Sequence, residues 1–357
     1  MAIGVGVALV RVEIDRRSTR ARRERERHFG LLAGEELAQG LKRMALGQLE
    51  LAIEQLERAG ATIPLARAVH ETRKALKRLR ALLVLVEDEL GREQTARERE
   101  LLRDAGQLLA GARDAEVRLT TLDGLIAGAP RKLAHRRGVV RLRAQLAAER
   151  DASAEDALSA QTREQLLLVL RQMHARVAGW TLRGAEGITA VEPALRRRYR
   201  RGRRAIPHKV RGERHRARAF HEWRKRVKDL RYEAEILERA RDGGAPSLPV
   251  ARRRRKRAKT SGDATYIRDI AKNADELGEM LGEEHDLGVL AERIRGAGER
   301  DAVRVPAGRR TRRALLKLIA KRRRQIRREA LKIGGSLYGT RPSRYLDRVR
   351  RAFARAR

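Results

Sequence analysis

The chain has 357 residues, 85 Lys+Arg against 47 Asp+Glu, and a formal net charge of +38, so charge dominates any account of what it binds. With 41% hydrophobic residues it can build a sizeable core, which excludes a disordered basic tail, and its eight prolines exclude collagen-like and proline-rich classes. The absence of cysteine excludes disulfides, thiolate metal sites and cysteine nucleophiles, and fits an intracellular protein.

In chain order, MAIGVGVALVRVEID comes first. No basic residue precedes its apolar run, so no secretory signal is expected, and the run is too short to span a bilayer. Val10, Val12 and Ile14 alternate with Arg11, Glu13 and Asp15, which predicts a short strand. Helical spacing then takes over. Leu37, Leu41, Met44, Leu49, Ile53 and Leu56 predict a helix over 35–59, stopped by Gly60. Pro64 opens a second over 65–90, ended by Gly91, and a third runs over 93–127 before Gly128 and Pro130. Further helices are predicted near 131–150, 153–178, 190–205, 216–241, 264–295, 308–333 and 343–355. No βαβ alternation and no membrane-length apolar stretch interrupts them, so the class is all-α, without membrane insertion.

The charge is uneven. Residues 1–195 carry 34 basic and 27 acidic residues, and residues 196–357 carry 51 and 20. Arg196–Arg218 holds 12 basic residues and one acid, and Arg309–Arg328 holds 11 and none. A third run, RRRRKRAK, spans Arg252–Lys259. Three such runs point to a polyanionic partner, since crowded like charges need counter-anions. Only ten residues are aromatic, too few for the stacking platforms of single-strand nucleic-acid binders, so phosphate is a better target than bases.

An internal repeat is the most informative feature. HETRKALKRLR from His70 and HEWRKRVKDLR from His221 share seven of eleven positions. Each is followed by a second motif, LLAGARD ending at Asp114 and LGEEHD ending at Asp286. These motifs lie 44 and 65 residues after their histidines, so the second copy carries an extra segment, placed at Gly243–Gly262. On a helix, His70, Arg73, Lys74, Lys77 and Arg80 share one arc about 120° wide, opposite Ala75, Leu76, Leu79, Leu82, Leu83 and Val86. His221, Arg224, Lys225, Lys228 and Arg231 repeat the stripe. About 15 Å of aligned cations suits a linear chain of phosphates, gripped by arginine forks and lysine point charges. Asp114 and Asp286 could orient a stripe Arg or His from behind. His285, beside Asp286, is a weak metal signal.

Together the four motifs resemble the conserved histidine α-helical domain (CHAD) family over roughly residues 30–340. The resemblance implies an all-α fold of two four-helix bundles related by a pseudo-two-fold internal repeat. It divides the chain into a short extension (1–29), the CHAD domain (30–340, halves at about 30–180 and 190–340) and a basic C-terminal helix (341–357). It implies non-enzymatic binding of inorganic polyphosphate in a basic groove or pore, and a cytoplasmic location at polyphosphate granules. Carried over by motif, the contacting residues are His70, Arg73, Lys74, Lys77, Arg80 and Arg113, with His221, Arg224, Lys225, Lys228, Arg231 and His285. Asp114 and Asp286 stand behind them. No cofactor is expected, though the family's histidines leave a metal role open. Residues 1–30 are too short for the triphosphate-tunnel domain of some relatives. Two rival functions remain: a nucleic-acid- or ribosome-associated protein held by charge, and a metal-dependent phosphohydrolase, for which no Mg²⁺-type acid cluster or hydrolase motif is visible.

Overall fold

A computed structural model describes residues 24–182, 187–239, 265–296 and 307–355, without the side chains of 112–113 and 154–157. The strand expected at Val10–Ile14 and the RRRRKRAK run lie outside the described residues. Among the described residues, a short helical turn at 24–26 is followed by thirteen helices. α1 (Leu37–Glu57), α2 (Leu65–Leu85), α3 (Glu87–Leu90), α4 (Arg92–Leu108), α5 (Ala110–Ala127), α6 (Arg131–Ala134) and α7 (Arg137–Ala157) come first. Then come α8 (Ala160–Ala178), α9 (Ile188–Arg204), α10 (Glu213–Leu237), α11 (Tyr266–Arg295), α12 (Arg309–Leu337) and α13 (Pro342–Arg355). Among the described residues there is no strand, only two isolated bridges.

Each expected helix is present, but three are divided. The 65–90 segment breaks at Val86, the 93–127 segment at Leu109, and the 131–150 segment at 135–136. Val86 and Leu109 keep ψ near zero (7° and 9°), which tilts the next helix without a loop. Apolar periodicity continues across such tilts, so the pattern alone does not reveal them.

Two apolar clusters form the core. The larger joins α1, α2, α4, α8, α9, α10 and α13 with the first half of α11 and the end of α12. The smaller joins α5, α6 and α7 with the second half of α11 and the first part of α12. The clusters therefore do not divide where the sequence repeat does. Long helices α11 and α12 pair with each other and thread both.

The C-terminal helix α13 is not a free basic tail. It buries Tyr345, Leu346, Val349 and Phe353 in the larger cluster, and the Tyr345 ring stacks on Tyr199 at 4.0 Å. At the chain's other end Phe29 is buried, with the Arg78 guanidinium 4.4 Å over its ring. Gly334 of α12 lets α10 approach, because a Cβ there would sit 2.2 Å from Trp223 Cζ2.

Candidate anion-binding site

Pro64 starts α2 with an extended backbone (ψ 137°), and the helix buries Ala68, Val69, Thr72, Ala75, Leu76 and Leu79. That burial turns the opposite arc outward. His70 and Lys77 are exposed, while Arg73, Lys74 and Arg80 are half-buried. Arg73 Nη1 donates to the Gly106 carbonyl at 2.5 Å. Gly106 lies in the last turn of α4, where carbonyls lack helical donors and a cation is favoured. Glu71 sits 3.5 Å from Lys74 Nζ and 3.9 Å from His70 Nε2. Arg80 is held below its ordinary pKa by burial, reinforced by Arg103 and Arg198.

The α10 stripe is built the same way and finished differently. Gly212 (φ +78°) turns the chain into the helix, and Phe220, Trp223, Val227, Leu230 and Ala234 are buried. Here α11 lies against the cations. His221 Nδ1 is 3.2 Å from His285 Nδ1, with ring centroids 4.3 Å apart, so one imidazole donates and the other accepts. Burial lowers both pKa values, and for His285, with Arg224, His221, Arg323 and Lys228 adding repulsion, the value falls to about 4. The Arg224 guanidinium lies over Gly282, where a Cβ would be 3.6 Å from Nη2. Lys225 pairs with Glu222 at 2.7 Å. Lys228 is pushed down to about 8 by burial and by Arg224 and Arg231, against Glu279 and Asp286. Arg231 is bound twice, to Glu235 at 2.6 Å and Asp275 at 2.5 Å. Those carboxylates outweigh its desolvation and raise its pKa.

The two stripe helices pack against each other, and Arg78 of α2 reaches Glu235 of α10 at 3.6 Å. Among the later-motif residues, Asp114 is exposed, Asp286 is half-buried and supports the charge on Lys228, and the Arg113 side chain lies outside the described residues.

The basic run of α12 has two parts. Arg309, Arg310, Arg313, Lys317, Lys321, Arg324 and Arg328 face solvent. Arg323 and Arg327 are buried instead. Both donate to Glu284 Oε1, at 2.7–3.0 Å, and both bond Glu213 at 2.8 Å. This network locks the start of α10 to α11 and α12, directly beside His285 in the chain. Glu213, the single acid in the Arg196–Arg218 run, is therefore a clamp. Its pKa is lowered, by its bond from Arg327 first.

An apolar cleft of ~590 Å³ between α4 and α8, lined by Leu101, Ala105, Leu108, Leu166, Leu168 and Val169, holds none of the stripe cations. Among the described residues, no group of three or more His, Cys, Asp or Glu is placed to hold a metal, and no helix is long and apolar enough to cross a membrane.

Known proteins share this architecture. The crystal structure of the CHAD domain from the plant Ricinus communis superposes with a TM-score of 0.57 at 18% identity, covering 85% of this chain and 94% of that one. PptA from Streptomyces chartreusis superposes with a TM-score of 0.56 at 17% identity, covering 86% and 100%. No curated protein matches the chain. The CHAD domain sequence pattern itself matches residues 47–265, which take in both histidine motifs and the helices that carry them, and the chain belongs to the CHAD domain family.

Proposed function

We propose that this chain binds inorganic polyphosphate without turning it over, using the cations of α2 and α10 to line a groove or pore, and that this binding holds it at polyphosphate granules in the cytoplasm. The observation that carries the reading is the α2 stripe, a row of cations fixed on one side of a helix by the core on the other. A linear polyanion can follow such a row, with successive phosphates taking arginine forks and lysine charges.

The aromatic residues favour phosphate over bases. All ten are buried, from Phe29 at 8% exposure to Tyr199 and Trp223 at 0%, so no ring is presented for a base to stack on. The exposed arginines of α9 and α12 add a diffuse field that draws a polyanion in and lowers affinity as salt rises.

Retention of long-chain polyphosphate by the purified chain tests the reading, with Arg73→Ala/Arg224→Ala compared at two salt concentrations. Wild type should bind, and the double variant should lose affinity and salt dependence together. A wild type that retains no polyphosphate at moderate salt would sink the reading. If RNA displaces polyphosphate better than the reverse, the charge-held nucleic-acid function takes its place. Phosphate release on adding a divalent metal would make the chain a hydrolase.

A further inference from the structure

The cations of α12 are sorted by side. Those turned towards α11 are paired: Arg322 bonds both oxygens of Glu283, at 2.6 and 2.8 Å, and Arg323 and Arg327 share Glu284 and Glu213. Those turned outward are not. Arg310, Arg313, Lys317, Lys321, Arg324 and Arg328 are exposed, and none of them forms a hydrogen bond or ion pair with another described residue. The single carboxylate of α12, Glu329, lies off this row and accepts from Gln325 of the same helix at 3.0 Å.

The six cations are aligned. At 100° per residue they fall in an arc about 80° wide, on the side of the helix opposite the buried Leu315, Ile319, Ile326 and Ala330. From Arg310 to Arg328 the row runs about 27 Å. Neighbours in it stand three or four residues apart, so each repels the next, and no carboxylate among the described residues offsets the repulsion.

Access separates this row from the α2 and α10 stripes. Arg73 meets the Gly106 carbonyl of α4, and His221 meets His285 of α11, so those cations lie where two helices adjoin and a thin chain fits. α12 packs along α11 and holds its row on the far, convex side. A straight row on a convex surface suits a partner that is itself stiff and wide. A nucleic-acid duplex is both, since its persistence length of about 500 Å keeps it straight over the length of α12 and its phosphates lie on its outside. Its bases are already stacked, so it needs no aromatic platform, and every aromatic ring of this chain is buried. We infer that the outer face of α12 is a second binding surface, which takes the phosphate backbone of a duplex nucleic acid without regard to sequence. It stands beside the polyphosphate reading and does not depend on it.

The test uses the full chain with Arg313→Gln/Lys317→Gln/Lys321→Gln, and Lys317→Arg/Lys321→Arg as the charge-keeping control. Binding is measured at several salt concentrations to duplexes of about 24 base pairs in two unrelated sequences, long enough to span the row, and to one of their single strands, to long-chain polyphosphate and to phosphatidylserine vesicles. Wild type should bind both duplexes alike. The triple variant should bind them about tenfold more weakly or worse, and the slope of log affinity against log salt should flatten by about 2–3, as expected for three lost phosphate contacts. Its polyphosphate affinity should fall about threefold at most, its melting temperature without ligand should not drop, and the control should match wild type. Arg73→Ala/Arg224→Ala should show the reverse pattern, with polyphosphate binding lost and duplex binding kept. A wild type that ignores duplexes, or a triple variant that binds them with unchanged affinity and slope, overturns the inference and leaves the polyphosphate reading intact. Equal losses for polyphosphate and duplex in the triple variant also overturn it, because the row then serves the polyphosphate surface. Single strands bound as tightly as duplexes overturn the choice of a stiff partner, and vesicles retained through the row in place of duplexes make an anionic lipid surface the partner. Duplex binding that follows the row in a chain that ignores polyphosphate keeps the inference and overturns the polyphosphate reading alone.

Discussion

The stripes on α2 and α10 carry the same residue types at the same spacing, yet they meet different surroundings. On α10, α11 answers the cations: Asp275 holds Arg231 together with Glu235 of α10 itself, and Glu279 and Asp286 support the charge on Lys228. On α2, the positions of α4 that align when Asp114 is matched to Asp286 are Arg103 and Gln107, neither of them a carboxylate. A motif therefore specifies which side chains share a face. The helix packed against that face decides whether their charge is available. The α10 cations meet carboxylates of the fold, whereas on α2 Arg73 meets a backbone carbonyl and Lys74 lies 3.5 Å from Glu71 of its own helix.

That contrast can be broken at several points. The largest effect is expected from Gly334→Ala, which drives a methyl into Trp223 and should cost about 2–4 kcal/mol by thermal or urea unfolding. At the equivalent motif position α2 has only buried Thr72, so Thr72→Val should be far milder. A direct comparison of binding comes next. Lys74→Ala/Lys77→Ala on α2 should weaken polyphosphate binding about tenfold or more, and Lys225→Ala with Arg231→Gln on α10 by a few-fold. Equal losses would erase the distinction between the stripes. Asp275→Asn should act in the opposite sense, raising affinity a few-fold by releasing Arg231 while costing about 1 kcal/mol of stability.

The smallest effect is in pH. His285 has its folded-state pKa lowered to about 4, below the ordinary histidine value near 6.5. Between those values the unfolded chain binds more protons, so stability should fall as pH drops from about 6.5 towards 4. Lys228→Met, which removes a cation pushed down to about 8, should raise the melting temperature of the free protein by a few degrees and weaken polyphosphate binding. A free protein whose melting temperature ignores both pH and Lys228→Met would show that the α10 cations are not strained.

Much of the fold was legible in the sequence because apolar spacing is read directly by helix packing. The helices at 35–59, 65–90 and 264–295 appear as Leu37–Glu57, Leu65–Leu85 and Tyr266–Arg295. The tilt at Leu109 was hidden, since it changes direction without interrupting the pattern. In the stripes, residue type and face were readable, but availability was not. Nothing local to HEWRKRVKDLR says that Arg231 will be bound twice. The charge difference between Arg103 and Asp275 did leave a trace, an Arg aligned with an Asp, visible only when the repeat is followed beyond its shared residues. The buried pair Arg323 and Arg327 lay unmarked inside a basic run without acids, because their partners, Glu213 and Glu284, are distant in sequence.

The threading of α11 and α12 through both cores bears on how such a chain can be divided. A fragment of residues 30–180 would leave Leu119, Leu122, Leu142 and Leu146 without the Leu287, Leu290, Leu315 and Ile319 that cover them. Cutting between the repeats thus yields two incomplete pieces in place of two small domains. A half-length chain would need those helices supplied from outside itself. Once the copies share one chain, they no longer need to be alike, and a position that carries Asp in one can carry Arg in the other.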